Sequence, residues 1–269
     1  MSINSMAQQT GGTSWTRYAN YFLKENGYDT TGVSLKLENV GYQGCTLISN
    51  RHVLLSKHVS DTFVLPQTVY FVNNSNTTFT YTITAVSIIG SSSGPGYTDI
   101  SIGYLNTTID ASLSFHKVIP SNFLSYIQNY IIAGNQKTAP YLPVFYMDSG
   151  DGASTNKRTW CGNLQLICNT CFSKILYYTR PRSGNRYNNS QAIVGGDSGN
   201  IIFIPVNNEI VILGTWYDDA DGSPGNPGDD LGSSTFIAPN IDAINAAMTS
   251  LAGTSYSLTQ ADLSQFNIF

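Results

Sequence analysis

The chain has 269 residues, a formal net charge of −4 and only 11% charged residues, against about 25% in an average globular chain. Long charged helices and coiled coils are thereby excluded, and so is disorder, which goes with few aromatics, because the chain carries 17 Tyr and 12 Phe. With 13 basic residues scattered among 17 acidic ones no nucleic-acid face is expected, and no apolar run approaches the roughly 18 residues of a membrane span, which leaves an aromatic-rich, glycine-punctuated chain that favours β structure.

The stretch from Met1 to Gly12 has no basic segment and no apolar core. No secretory leader is expected there, so host-cell cytoplasm or a virion is favoured over classical secretion. After this arm, Ser14 opens a helical pattern. Trp15, Tyr18, Ala19, Phe22 and Leu23 share a face, and Asn26-Gly27 stops it.

Residues 31–115 read as short strands. Alternation over 33–38 is that of a half-buried strand. Further candidates are 45–48, 53–55, 68–73, 79–89 and 100–105, separated by polar turns. Residues 116–130 read as a connector. His116, beside Lys117, is expected to be a surface or connector residue, and Pro120 with Ser121-Asn122 begins a short helix.

A second strand group follows at 130–133, 142–147, 163–167, 174–179, 201–205 and 210–217. Asn207-Asn208 is a hairpin turn between the last two. Residues 218–232 read as a Gly/Pro/Asp loop and 236–237 as one more strand. Pro239-Asn240 then starts a helix in which Ile241, Ile244, Ala247, Met248 and Leu251 share a face. The tail 253–269 carries no clear pattern. No internal repeat of short period is present.

Two groups of short antiparallel strands, a connector and a terminal helix point to an all-β chain of two packed barrels. Composition alone does not separate this from a single sandwich. The expected organisation is an arm with a short helix over 1–27, a first barrel over 28–115 and a connector over 116–129. A second barrel over 130–238, a helix over 239–252 and the tail over 253–269 complete it.

The strongest chemical signal is Gly195-Gly196-Asp197-Ser198-Gly199. Glycines around a serine allow a tight turn that exposes the hydroxyl. They also let backbone N–H groups converge beside it, as an oxyanion hole requires. Alone, the string is compatible with an ordinary turn. A serine nucleophile needs a base, usually His, and a carboxylate to hold the imidazole. The chain has only three His, at 52, 58 and 116.

The segment Gly44-Cys-Thr-Leu-Ile-Ser-Asn-Arg-His-Val-Leu-Leu-Ser-Lys-His58-Val resembles the histidine region of chymotrypsin-like serine peptidases. Tyr97-Thr98-Asp99-Ile100-Ser101-Ile102 resembles the segment that supplies the family's aspartate. Ser198-Gly-Asn-Ile-Ile-Phe and the hairpin to Gly214 resemble its serine region. The order His, Asp, Ser is that family's order, and the resemblance spans about residues 30–252. It implies Greek-key barrels in the two β units. It implies a catalytic triad of His58, Asp99 and Ser198, with an oxyanion hole at the N–H groups of Gly196 and Ser198. It also implies substrate contacts at Ala192, Thr215, Trp216 and Tyr217, and no cofactor. The residue at the expected pocket base is Ala192, which predicts an apolar or aromatic side chain before the cut. His52 is read as packing.

The chain departs from the digestive members of that family. Their activation start is absent upstream of the first barrel. Ile193-Val194-Gly195-Gly196 spells it, but inside the nucleophile loop. Asp197, which pairs with that new N-terminus in digestive members, is therefore expected to be satisfied otherwise or exposed. This is closer to bacterial or viral relatives. Asn200 stands where a second glycine usually follows the serine. Cys45 matches a position often bridged beside the histidine, but the partner position holds Val59.

Four cysteines are too few for a disulfide scaffold. Cys161, Cys168 and Cys171 contain a Cys-x2-Cys pair that invites zinc, yet no fourth ligand lies nearby. One local disulfide with a free thiol, or three buried thiols, are the readings left. The acidic stretch from Asp218 to Asp230 offers oxygens suited to Ca²⁺ but not at EF-hand spacing; a solvated loop is expected. The expected function is serine endopeptidase, acting on a protein or peptide. The alternative is a non-catalytic structural or interaction protein on the same fold, such as a virion component, suggested by the missing activation chemistry and Asn200. An esterase using the same triad is a third reading.

Overall fold

The computed structural model describes residue 23 and residues 27–40, 43–90, 98–126, 142–148, 158–168, 175–179, 193, 195–218 and 230–264. The first six strands are β1 (Lys36–Leu37), β2 (Thr46–Leu47), β3 (His52–Leu55), β4 (Gln67–Val72), β5 (Thr78–Ile89) and β6 (Ile100–Leu105). They lie in the order β1-β4-β5-β6-β3-β2. Val33, just before β1, bridges Thr46 of β2, and the Ser34 and Leu47 N–H groups donate to Cys45 and Gly32 carbonyls. These contacts close the ring, so no strand edge is left open at that seam.

The second barrel uses β8 (Leu142–Asp148), β9 (Arg158–Cys168), β10 (Ile175–Thr179), β11 (Ile201–Val206), β12 (Glu209–Asp218) and β13 (Asp230–Phe236). Their order is β11-β8-β9-β10-β13-β12, and a β11–β12 pairing closes the ring. Both barrels share one cyclic order. The first strand lies between the second and fourth, the third between the second and sixth, and the fifth between the fourth and sixth. This is the Greek-key arrangement, present in both barrels. The Asn207-Asn208 turn expected from sequence joins β11 and β12, with both residues at positive φ (50° and 62°), as a type I′ turn requires.

Alternation along β3 and β6 explains where the core sits. Val53, Leu55 and Leu105 point into the first barrel with Phe71, Tyr81 and Ile83. Leu54, Ile100 and Ile102 point outward into a second cluster that fills the other barrel and the seam. Strands buried on both faces read as near-continuous apolar runs, and β3 is buried throughout. After a single 3-10 turn (Ala238–Asn240), helix α2 (Ile241–Ala252) buries Ile241, Ile244, Ala247 and Met248 on the expected face and joins the same outward cluster.

Several expectations are corrected. The connector begins with a strand, β7 (Lys117–Val118), running parallel to β12. Of the two readings of His116, the surface one fails and the connector one stands: it is buried where the connector begins, and its N–H donates to the Leu47 carbonyl (2.9 Å). Strand β13 starts at Asp230, inside the stretch read as loop. Its polar sequence Gly-Ser-Ser-Thr hides it. It is held by ladders to β10 and β12 on either side and by a 2.7 Å hydrogen bond between Ser234 Oγ and Tyr178 Oη. The tail is packed through residue 264. The Ala261 N–H donates to the Val118 carbonyl, the Val118 N–H to the Thr259 carbonyl, and Leu258 and Leu263 are buried. Of the N-terminal helix, Leu23 is helical and buried; its other predicted face residues lie outside the described residues.

Candidate active site

β3 and β6 pair antiparallel with Leu55 opposite Ser101. The end of β3 and the start of β6 therefore meet, which brings His58 beside Asp99 although 41 residues separate them. Four-residue helices are not stable alone, and helix α1 (Lys57–Ser60) is held by bonds within its own turn and by one buried side chain. The Ser60 N–H bonds the Ser56 carbonyl and the Asp61 N–H the Lys57 carbonyl. The Ser60 hydroxyl also donates to the Lys57 carbonyl (2.9 Å), Lys57 pairs with Asp61, and Val59 is buried in the first barrel.

Asp99 is 1% exposed. The His58 backbone N–H donates to Asp99 Oδ1 (2.8 Å), and His58 Nδ1 lies 2.7 Å from Asp99 Oδ2. A carboxylate accepts only, so Nδ1 carries a proton and Nε2 lies on the ring edge away from Asp99. His58 keeps 36% of its side chain exposed. The pair thus joins a buried carboxylate to a partly exposed imidazole.

Ser198 sits in the turn before β11. Gly196 has φ +106° and Gly199 φ +78°, regions that glycine enters without cost. A Cβ at Gly199 would collide with the Gly44 carbonyl oxygen. The Gly44 N–H in turn donates to the Ser198 carbonyl (3.1 Å), so the first barrel grips the turn from the second. Asn200 closes the turn: its N–H and its Nδ2 both donate to the Asp197 carbonyl (3.1 and 2.9 Å). Among the described residues, the N–H groups of Gly196 and Ser198 have no hydrogen-bond acceptor, and no hydrogen bond joins Ser198 Oγ to His58.

No protein-family model matches the sequence, and no curated protein sequence matches it. Among solved structures, the chain is similar to a mutant of human heparin binding protein (CAP37), with a TM-score of 0.56 and 14% identity over 89% of this chain and 95% of that one. The fold is chymotrypsin-like. In this chymotrypsin-like fold the two closed barrels meet along the seam that carries His58, Asp99 and the Ser198 turn.

Thr215, Trp216 and Tyr217 end β12 at the seam. Thr215 and Trp216 are buried. The Trp216 Nε1–H donates to the Met147 carbonyl (3.2 Å), and its indole meets Tyr146 and Tyr178 edge-on. The β12–β13 register shifts between Trp216 and Asp218. This bulge re-aims the side chain between them, and the Tyr217 ring stands edge-on to His58 at 6.4 Å. Of these three side chains, Tyr217 alone is partly exposed. Ala192, Cys171, the Cys168 side chain and residues 219–229 lie outside the described residues.

Asp197 is 3% exposed, which removes the exposed alternative for it. Cys45 and Cys161 are buried. His52 is buried and packed, as read from sequence. Its Nδ1 meets Ser49 Oγ at 2.8 Å and its Nε2 meets the Met248 carbonyl at 3.1 Å, between the rings of Tyr104 and Tyr256. Burial pushes its pKa down to about 4, so it stays neutral. Gly44 and Ser56 lie inside the histidine segment, but their ties to the Ser198 turn and to Trp216 have no signal in the sequence.

Proposed function

We propose that the chain is a serine endopeptidase working through Ser198, His58 and Asp99. The observation that carries this reading is the double contact of His58 to Asp99, which leaves Nε2 free to act as base. His58 Nε2 takes the Ser198 proton as Oγ attacks a peptide carbonyl and a C–O bond forms. The oxyanion is held by the N–H groups of Gly196 and Ser198. The imidazolium, stabilised by Asp99, gives its proton to the leaving amine as the C–N bond breaks. Water then releases the acyl group by the same steps in reverse. The substrate is a polypeptide, with an apolar or aromatic residue over Ala192 and its backbone alongside Thr215 to Tyr217.

The test is covalent labelling of Ser198 by a fluorophosphonate, read by intact mass. Labelling that Ser198→Ala abolishes supports the reading; an unlabelled folded protein sinks it. One observation favours a second reading, a non-catalytic interaction protein on this fold: no hydrogen bond joins Ser198 Oγ to His58. Substrate-free sites often show long catalytic contacts that tighten on binding, so the peptidase reading stands first. Heparin, named for the similar structure, is a polyanion and does not suit a chain with 17 acidic and 13 basic residues.

A further inference from the structure

Ser56 occupies the N-cap of α1, the helix that carries His58: its carbonyl accepts the first helical bond from Ser60 (3.1 Å). Serine is favoured there because its hydroxyl can accept from the helix's own free N–H groups. Here it does not cap the helix at all. The hydroxyl turns away and donates to the Trp216 carbonyl of the other barrel at 2.8 Å, across 160 residues of sequence. Thr215 Oγ1 stands 3.4 Å from the Ser56 hydroxyl oxygen. Ser56 is fully buried, so this bond has no competition from water.

The Trp216 carbonyl also receives the Gly199 N–H (3.4 Å), and the Trp216 N–H donates to the Asn200 carbonyl (3.0 Å). Gly199 and Asn200 directly follow Ser198. One carbonyl oxygen therefore joins the residue two before His58 to the residue after Ser198. We propose that Ser56 is a positioning residue that sets the separation of His58 and Ser198 by tying the histidine helix to the nucleophile turn through Trp216. Its kinetic consequence rests on the peptidase reading; the tie itself does not.

The experiment compares wild type with Ser56→Ala and Ser56→Thr in two measurements. Amide exchange is followed at Gly199 and Trp216 against β8 and β9. The fluorophosphonate labelling rate of Ser198 is followed against reagent concentration, well below the unfolding temperature. Misplacing reacting groups by an ångström costs up to about 100-fold in rate. The expected result is that Ser56→Ala lowers the maximal labelling rate by about 10- to 100-fold at unchanged half-saturation. Exchange rises at Gly199 and Trp216 only, and Ser56→Thr, which keeps the hydroxyl, restores both. A Ser56→Ala protein that labels at the wild-type rate overturns the proposal. So does exchange that rises evenly across β8, β9 and the turn. If wild type is not labelled, the peptidase reading falls, and the exchange at Gly199 and Trp216 still decides the tie: a local rise upholds it and no rise overturns it.

Discussion

His58 donates to both oxygens of Asp99, from its backbone N–H to Oδ1 and from its ring Nδ1 to Oδ2. The backbone bond fixes the carboxylate; the carboxylate then fixes the ring. Asp99→Asn replaces one acceptor oxygen by an NH2 group, which clashes with either the N–H or the Nδ1 proton and favours the wrong tautomer. The expected loss in labelling or peptide cleavage is roughly 10⁴-fold. A circular dichroism melt tracks the fold, and full activity of Asp99→Asn would count against the triad.

The three glycines around Ser198 differ in what a side chain would meet. Gly195 has open space and an ordinary φ; Gly199 has φ +78° and the Gly44 carbonyl in the way. Gly195→Ala is expected to change stability by less than about 0.5 kcal/mol. Gly199→Ala is expected to cost at least about 2 kcal/mol and to abolish labelling, because the turn must move away from the first barrel. Urea titrations of both variants check the contrast.

The neutral state of His52 has a stability consequence. In the neutral ring the Ser49 hydroxyl donates to Nδ1 and Nε2–H donates to Met248. Ser49 Oγ already accepts from the N–H groups of Arg51 and His52, so a second ring proton would find no acceptor there. The folded pKa is about 4 against 6.5; the unfolded chain thus binds more protons between these values. Stability is fully present above pH 6.5 and falls by about 3 kcal/mol as pH drops to 4. His52→Gln cannot titrate and should flatten that slope, measured by denaturant midpoints from pH 7 to 4.

The tail contributes to the fold through buried side chains. Leu263 is 2% exposed and Leu258 6%. Leu263→Ala is expected to cost about 2–5 kcal/mol, whereas Thr259→Ala, at an exposed site between them, should stay within about 0.5 kcal/mol. A neutral Leu263→Ala would show that the tail does not support the second barrel.

Much of the site is legible in short strings. The Gly-rich turn at 195–199, the Leu-Leu-Ser-Lys-His run and the Asp99-Ile100 pair each mark a position within a few residues. The Asn207-Asn208 turn and the apolar face of α2 are legible for the same reason, since turn chemistry and helix periodicity are local. What was misread is what lacks a local signature. The Gly-Ser-Ser-Thr of β13 has no apolar alternation and becomes a strand because two neighbours supply its hydrogen bonds. His116 and the tail look polar or patternless and are buried by partners far along the chain.

Strand periods and turn residues are legible locally, because each depends on neighbours within a few residues, and the order of histidine, aspartate and serine is read directly along the chain. How the barrels meet is set by long-range packing. The closing of two rings with one cyclic order, the meeting of β3 and β6 that joins His58 to Asp99, and the turning of Ser56 from its own helix to Trp216 all depend on contacts between distant segments. A buried hydroxyl takes the acceptor that packing brings to it, and 160 residues of intervening chain leave no trace of that choice in the local sequence. The low charge of the chain belongs to both accounts: sparse charge excluded whole classes of protein, and the fold then placed one buried carboxylate against one half-open imidazole.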